Sequence, residues 1–123
     1  AVFAEAERTG AAILACPVNG TLKRVQNALI QQTVDRTNLW EAQTPQVFSR
    51  SLLQKAYEGD LSNVTDDAQL VEALGQKVHV VPGDPRNIKI TSPADLAVVA
   101  AVIDSLPKPK LAGGDHPFAE AKW

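Results

Sequence analysis

The chain has 123 residues, of which 45% are hydrophobic and 21% charged, and its formal net charge is -2. These values are typical of one globular domain with a modest core, and they indicate no basic surface for nucleic acid. The longest apolar run, residues 96–103, is too short to span a bilayer. A lone cysteine, Cys16, excludes an internal disulfide and favours a reducing compartment.

The first predicted elements are a helix and a buried strand. Residues 1–8 have helix-forming side chains and stop before Gly10, but no capping residue precedes them. An uncapped start suggests a chain cut from something longer, and the acidic residues there do not fit a signal peptide. Residues 11–16 form an apolar run before Pro17, as expected for a strand covered on both faces of a parallel α/β sheet. Cys16 is then an inert, buried thiol.

A polar hairpin is predicted next. Residues 21–25 and 30–35 have strand patterns, and the Asn19-Gly20 pair before them is a turn signal. Their charged and amide side chains make poor core strands, so we expect a hairpin that projects from the domain. An isolated hairpin is only marginally stable in water, and a projecting one usually packs on a partner.

The rest of the chain alternates between helix and strand patterns, which favours an α/β fold. Residues 33–48 fit neither pattern cleanly, although Pro45 indicates a turn. Residues 106–123 are rich in Pro, Lys and Gly and predict a flexible tail. The predicted elements are a helix over 49–57, a helix capped by Thr65 and ending at Gly75, strands over 77–81 and 87–90, and a helix from about 93 to 105 with a Ser92–Asp95 capping box.

Hydroxyl and basic side chains at element ends are the candidate binding residues. Thr21, Thr44 and Thr65 stand where phosphate recognition uses hydroxyls and free amides. Turn and cap chemistry is the alternative, and for Thr65 it is the preferred one. Arg36 offers a bidentate fork for phosphate or a partner for the preceding aspartate. Lys89 lies in an apolar run, which favours an edge strand over a ligand contact. Together these residues weakly indicate a phosphorylated small molecule.

No metal constellation is predicted. His79 and the histidine near residue 116 each lack a second ligand at useful spacing, so a packed or solvated histidine is expected. A serine nucleophile elbow and a Walker phosphate loop are also missing from the sequence.

Several segments in combination resemble one enzyme family. In order and spacing they are similar to 2-C-methyl-D-erythritol 4-phosphate cytidylyltransferases, and the resemblance covers roughly residues 1–104. The segments are 15–23 (Ala-Cys-Pro-Val-Asn-Gly-Thr-Leu-Lys), 33–48 (Thr-Val-Asp-Arg-Thr-Asn-Leu-Trp-Glu-Ala-Gln-Thr-Pro-Gln-Val-Phe), 65–72 (Thr-Asp-Asp-Ala, then Val-Glu) and 83–96 (Gly-Asp-Pro-Arg-Asn-Ile-Lys-Ile-Thr-Ser-Pro-Ala-Asp-Leu).

The resemblance implies a Rossmann-like α/β nucleotidyltransferase fold. Residues 1–105 would be its C-terminal part, and a β-arm of about residues 19–45 would exchange between the subunits of a homodimer. The implied reaction joins CTP to 2-C-methyl-D-erythritol 4-phosphate with Mg²⁺ and releases pyrophosphate, in the bacterial cytoplasm or a plant plastid. No nucleic acid or membrane partner is implied.

The family's motifs also imply roles for individual residues. Arg36 and Thr44 match positions that grip the methylerythritol phosphate, with Arg36 reaching the site of the other subunit. Thr21 and Thr65 match positions that contact the polyol or its phosphate. Lys89 matches a lysine at the reacting centre, where a buried position would lower the dielectric constant and strengthen the effect of its charge.

The sequence departs from the family pattern in two places. Gly20 stands where the family has an aspartate before Thr21. The N-terminal half, with its Gly-rich CTP loop and acidic segment, has no counterpart, so this chain alone is predicted not to turn over CTP. Two alternatives stay open. One is a pentitol-phosphate (ribitol 5-phosphate) cytidylyltransferase, which the Leu39-Trp40 pair and the Asp35-Arg36 context make less favoured. The other is a non-catalytic dimerisation module.

Overall fold

The apolar run after the first helix is the central strand of a three-stranded sheet. In the computed structural model, which describes residues 1–107, β1 (Ala11–Pro17) lies between β4 (Trp40–Phe48) and β5 (His79–Pro82). β4 runs antiparallel to β1 and β5 runs parallel to it. The sheet is therefore mixed, whereas the sequence pattern of β1 had indicated a parallel one.

Helices cover both faces of β1. Ala11 packs against α2 (Arg50–Ala56) and α3 (Asp67–Ala73), while its neighbour Ala12 packs against α1 (Val2–Thr9). Both alanines are fully buried. Since successive side chains of a strand point to opposite faces, the apolar run fits a strand covered on both sides, as predicted.

The predicted hairpin forms a separate two-stranded sheet. β2 (Leu22–Gln26) and β3 (Leu29–Val34) are joined by Asn27 and Ala28, whose φ angles are 50° and 62°. Positive φ at both turn residues is the geometry of a type I′ turn, which suits the twist of a two-stranded ribbon. The hairpin is shorter than residues 19–45, because the chain from Trp40 onward already belongs to the main sheet.

Two predicted details of the local structure are wrong. The cap of α3 is Asp66 instead of Thr65, because Asp66 has extended backbone angles and its carboxylate accepts a hydrogen bond from Gln69 N at 3.0 Å. Residues 87–90 are not a strand. Asp84 turns the chain there by accepting hydrogen bonds from the backbone and guanidinium of Arg86, and Asn87 N donates to Asp84 O at 2.8 Å.

Among the described residues, 90–107 belong to a second compact unit, distinct from residues 1–89. Its helix α4 (Pro93–Ser105) starts with the predicted capping box, in which Asp95 accepts a hydrogen bond from Ser92 N at 2.8 Å. The predicted tail lies outside the described residues from position 108. No helix within residues 1–107 is long and apolar enough to cross a membrane.

Candidate functional site

A bulge in β4 is the geometric centre of the candidate site. Ile13 of β1 pairs with Gln46 and the next residue, Leu14, pairs with Gln43, so Thr44 and Pro45 are extra residues between paired positions. The Thr44–Pro45 peptide bond is cis. Bulges of this kind redirect side chains and are common beside active sites. The later part of the segment that did not fit a strand pattern, residues 40–48, is therefore a strand with an irregularity in its middle.

Gln43 attaches the bulge to the loop that precedes Lys89. Its amide nitrogen donates to Asp84 O at 2.9 Å and to Asn87 O at 3.4 Å, and its amide oxygen accepts from Cys16 Sγ at 3.5 Å. In return, Asn87 Nδ2 donates to Thr44 O at 2.6 Å. We call these contacts of Gln43 and Asn87 the loop clamp. The loop clamp fixes the backbone just before Lys89 relative to Thr44.

Gln46 attaches the other side of the bulge to the start of α3. Its amide nitrogen donates to Asp66 Oδ2 at 2.9 Å, and its oxygen accepts from Ala68 N at 3.3 Å. Thr65, which precedes Asp66, bonds through its backbone N and its Oγ1 to Gln69 Oε1 at 2.9 and 3.0 Å. The backbone at Thr65 is thereby fixed relative to Thr44 as well.

Two glutamines that were not among the predicted site residues thus link the bulge at Thr44 to the chain beside Thr65 and just before Lys89. Thr44, Thr65 and Lys89 are all exposed. The available signal was the Gln-Thr-Pro-Gln order itself, since two amides flanking an unpaired Thr-Pro can each satisfy backbone groups on a different neighbour.

Thr21 and Arg36 lie together at the base of the hairpin instead. Leu22 pairs with Val34, so Thr21 directly precedes the first pair and Arg36 follows shortly after its partner. Asp35 does not pair with Arg36. Its carboxylate accepts hydrogen bonds from the backbone N and Oγ1 of Thr37 at 2.9 and 2.8 Å, which lower the pKa of Asp35.

Arg36 is consequently available for an anion. Leu39 N donates to Arg36 O at 2.9 Å and holds this residue in a tight turn. The Arg36 side chain is exposed and makes no ion pair within residues 1–107.

At Gly20, nothing lies within 4 Å of an added Cβ. The first side-chain carbon of the family's aspartate would therefore meet no obstacle there.

The expected burial of Lys89 is not found within the described residues. Lys89 and Ile90 are both exposed, and Ile90 retains 51% of its accessible surface. The reason is that residues 87–90 form no strand, so no sheet packs the two neighbouring isoleucines around the lysine. A dielectric effect on Lys89 has no basis in these residues alone.

His79 has a structural contact. Its Nδ1 lies 3.2 Å from Glu5 Oε1, and Arg8 Nη2 approaches the same oxygen at 2.6 Å. Hydrogen bonding from Arg8 lowers the pKa of Glu5. Because α1 carries Glu5 and β5 carries His79, this contact ties the helix to the outer strand of the sheet. Within residues 1–107, no three His, Cys, Asp or Glu side chains are grouped to hold a metal ion.

A shallow depression runs along β5 but does not coincide with the predicted site residues. It is lined by one end of α3, the following loop and the strand itself: Glu72, Gln76, Lys77, Val78, His79 and Val80. Val80 is 48% exposed, and within the described residues β5 pairs only with β1. This side of the sheet is therefore an open edge.

The described fold is part of an α/β nucleotidyltransferase domain, as the comparisons with known proteins show. Residues 1–105 match the family model described as IspD: 2-C-methyl-D-erythritol 4-phosphate cytidylyltransferase. An enzyme of that name from Bacillus pumilus is 48% identical over 102 residues, which are 78% of this chain and 44% of the relative. The chain belongs to the 2-C-methyl-D-erythritol 4-phosphate cytidylyltransferase family.

Solved structures agree with this assignment. A 4-diphosphocytidyl-2C-methyl-D-erythritol synthase superimposes with a TM-score of 0.74 at 41% identity, covering 84% of this chain and 48% of that one. The 2-C-methyl-D-erythritol 4-phosphate cytidylyltransferase of Thermus thermophilus gives a TM-score of 0.74 at 37% identity, covering 84% of this chain and 52% of that one. The chain therefore spans about half the length of the relatives it matches.

Proposed function

We propose that this chain supplies the acceptor-binding part of an enzyme that transfers a cytidylyl group from CTP to 2-C-methyl-D-erythritol 4-phosphate. The observation that carries the proposal is the β4 bulge, which ties Thr44, Thr65 and the backbone before Lys89 into one framework. Hydroxyl groups and a cation whose backbones are tied to one bulge suit a phosphorylated polyol.

In the proposed reaction, an oxygen of the methylerythritol phosphate attacks the α-phosphorus of CTP. A new P–O bond forms there, the bond from the α-phosphorus to the bridging oxygen breaks, and pyrophosphate leaves with that oxygen. The role of the protein is to align two anions and to offset the charge that develops. The exposed ammonium group of Lys89 would face this charge, while the Thr44 and Thr65 hydroxyls would orient the acceptor.

Magnesium is proposed to be held outside the described residues, which contain no suitable acidic cluster. The activity in the family name is that of the whole relatives, whereas the match to this chain covers only 44% of the Bacillus pumilus relative. We therefore propose that the 123-residue chain alone does not turn over CTP. Pyrophosphate release from the purified chain with both substrates and Mg²⁺ would contradict this.

The test of the proposed function uses the chain joined in frame to the N-terminal half of the Bacillus pumilus relative. Lys89→Ala is expected to lower kcat by roughly 100-fold or more, as loss of one charge-stabilising group at a reacting centre commonly does. Lys55→Ala is the matched control, because Lys55 is an exposed lysine on α2. Unchanged kcat in Lys89→Ala would refute the role of Lys89. A clear preference for ribitol 5-phosphate over methylerythritol phosphate would establish the alternative acceptor.

We further propose that the hairpin joins two subunits and delivers Arg36 to the partner's site. Apolar side chains at the hairpin tip support this, since Val25, Leu29 and Ile30 are 56%, 67% and 64% exposed. Apolar groups exposed on a two-stranded sheet are typical of a surface that packs on another chain.

Subunit mixing tests this second proposal. If each site takes Arg36 from one subunit and Lys89 from the other, two inactive variants, Arg36→Ala and Lys89→Ala, complement each other when mixed. Random reassortment in a two-fold dimer would then restore roughly a quarter of the sites. No recovery after verified exchange of subunits would place both residues in the same subunit's site or show that the hairpin has no catalytic role.

A further inference from the structure

We propose that Gln43 is a positioning residue for Lys89, acting through the loop clamp. This inference rests on the proposed function, because it assigns to Gln43 the task of holding Lys89 where the reaction needs it. Gln43 itself is not expected to touch substrate. Its side chain is half-buried between β1 and the loop, with its donor directed to Asp84 O and Asn87 O.

The chemistry of the contacts requires a primary amide at position 43. Two backbone carbonyls, of Asp84 and Asn87, accept from the amide nitrogen, and the thiol of Cys16 donates to the amide oxygen. A carboxylate would repel both carbonyls, and an apolar side chain would leave them without this donor. Cys16 then has a use as well, since its buried thiol orients the Gln43 amide.

The Gln43 side chain occupies space that a glycine, Gly83, leaves open beside β1. Gly83 N donates to Ala15 O at 2.8 Å, which brings the start of the loop against β1. A Cβ added at Gly83 would collide with the Gln43 amide oxygen and lie 3.4 Å from Ala15 O. Glycine at position 83 thus permits the close approach of Gln43, and Gly83→Ala would displace the Gln43 side chain without changing Gln43.

Because Lys89 is exposed, its position depends on contacts made by the loop that precedes it. Within residues 1–107 the Lys89 side chain has no ion-pair partner that would hold it. Its position therefore depends on the backbone two residues earlier, where Asn87 is fixed through Gln43 and through Thr44 O. Loss of the clamp is expected to leave the main sheet folded and the lysine poorly placed.

A first experiment measures how readily the loop around Arg86 and Lys89 opens in the 123-residue chain. Gln43→Met keeps the approximate shape of the side chain and removes the donor. Trypsin is expected to cleave after Arg86 and Lys89 several-fold faster in this variant, because local opening of the loop becomes easier. Gln54→Met is the matched control, because Gln54 is exposed on α2. Equal cleavage rates in Gln43→Met and Gln54→Met would overturn the clamp.

A second experiment measures kinetics in the chain completed by the N-terminal half of the relative. Gln43→Met and Gly83→Ala are each expected to lower kcat by about 10- to 100-fold, the scale of a misplaced catalytic group, with little change in melting temperature. In a Lys89→Ala background, Gln43→Met is expected to add no further loss, because it acts through the missing ammonium group.

The outcomes separate this inference from the proposed function. If Lys89→Ala abolishes turnover and Gln43→Met leaves kcat unchanged, Gln43 is not a positioning residue and the proposed function stands. If Gln43→Met frees the loop and Lys89→Ala leaves turnover unchanged, the clamp exists but the role of Lys89 fails. Independent, multiplicative losses in the double variant would show that Gln43 acts through something other than Lys89 and would overturn the inference.

Discussion

The hairpin and the main sheet use similar strand pairing in opposite surroundings. β1 is covered by helices on both faces, whereas most of β2 and β3 is exposed. Backbone hydrogen bonds alone leave a two-stranded ribbon only marginally stable, while burial of apolar side chains stabilises the main sheet. The difference indicates that the main sheet is the folding unit and that the hairpin depends on what it contacts.

The irregularities of the two sheets differ in the same way. In the hairpin, Gln31 is an extra residue between paired positions, and its amide bonds only to Leu29 O, at 3.3 Å. In β4 the amides of Gln43 and Gln46 reach a distant loop and a helix. The β4 bulge therefore joins separate parts of the chain and connects the backbone near the predicted site residues to the main sheet.

The strongest test of the comparison is a matched pair of isoleucines. Ile13 in β1 is 7% exposed and Ile30 in the hairpin is 64% exposed. Ile13→Ala is expected to lower the free energy of unfolding by about 2–5 kcal/mol, because it opens a cavity in the core. Ile30→Ala is expected to change it by less than about 0.5 kcal/mol in dilute, monomeric chain. Similar losses in urea denaturation would show that the hairpin belongs to the same core.

The second test concerns the cap of α3. Asp66→Ala removes the acceptor for Gln69 N and the partner of Gln46, so we expect a loss of roughly 1–2 kcal/mol in unfolding free energy. Asp60 is the control, since its carboxylate contacts only the neighbouring Ser62. Asp60→Ala is expected to leave the midpoint of denaturation nearly unchanged. Equal effects would mean that the side-chain links at the bulge add nothing to the sheet.

The third test is the turn of the hairpin. Ala28 has φ of 62°, a region that disfavours residues with a Cβ, so Ala28→Gly should stabilise the turn by about 0.5–1 kcal/mol. The same change at the exposed Ala4 in α1 should destabilise its helix by about 1 kcal/mol. Amide exchange of hairpin and helix residues measures both effects. Faster exchange at Leu29 in Ala28→Gly would contradict the turn geometry.

The smallest expected effect is a loss of unfolding free energy at acid pH, caused by protonation of Asp84 in the loop before Lys89. Hydrogen bonds from the Arg86 side chain lower the pKa of Asp84 from 3.8 to about 2. Since the folded pKa is depressed, this contribution to stability is present above the unfolded pKa and is lost as pH falls from about 4 toward 2. Asp84→Asn should remove this loss of unfolding free energy at acid pH. Arg86→Gln should reduce the same loss, because it removes the hydrogen bonds that lower the pKa of Asp84. An unchanged curve in both variants would show that solvent screens the pair fully.

Local patterns were sufficient for much of the fold. The run at residues 11–16 predicted a strand covered on both faces, and Ser92 with Asp95 predicted the capping box of α4. Such features depend on neighbours in sequence, so propensity and capping chemistry identify them. The strand in residues 40–48 escaped prediction because its bulge interrupts the alternation that reveals a strand.

For the candidate site, too, the sequence predicted the residues, and the structure showed how the chain arranges them. Residue types and their spacing marked Thr21, Arg36, Thr44, Thr65 and Lys89, and their roles remain predictions. Only the folded chain showed that Thr21 and Arg36 both lie at the hairpin base. It also showed that two glutamines connect the bulge at Thr44 to the neighbours of Thr65 and Lys89.

Ordered motifs and local chemistry were enough to identify the family, the helices, the central strand and the candidate residues. The packing of the domain was needed to show that β4 runs antiparallel to β1, that Asp66 caps α3, and that Gln43 holds the loop before Lys89. Each of these depends on hydrogen bonds between residues whose meeting is set by the arrangement of the whole domain. A one-dimensional pattern carries no signal for such contacts.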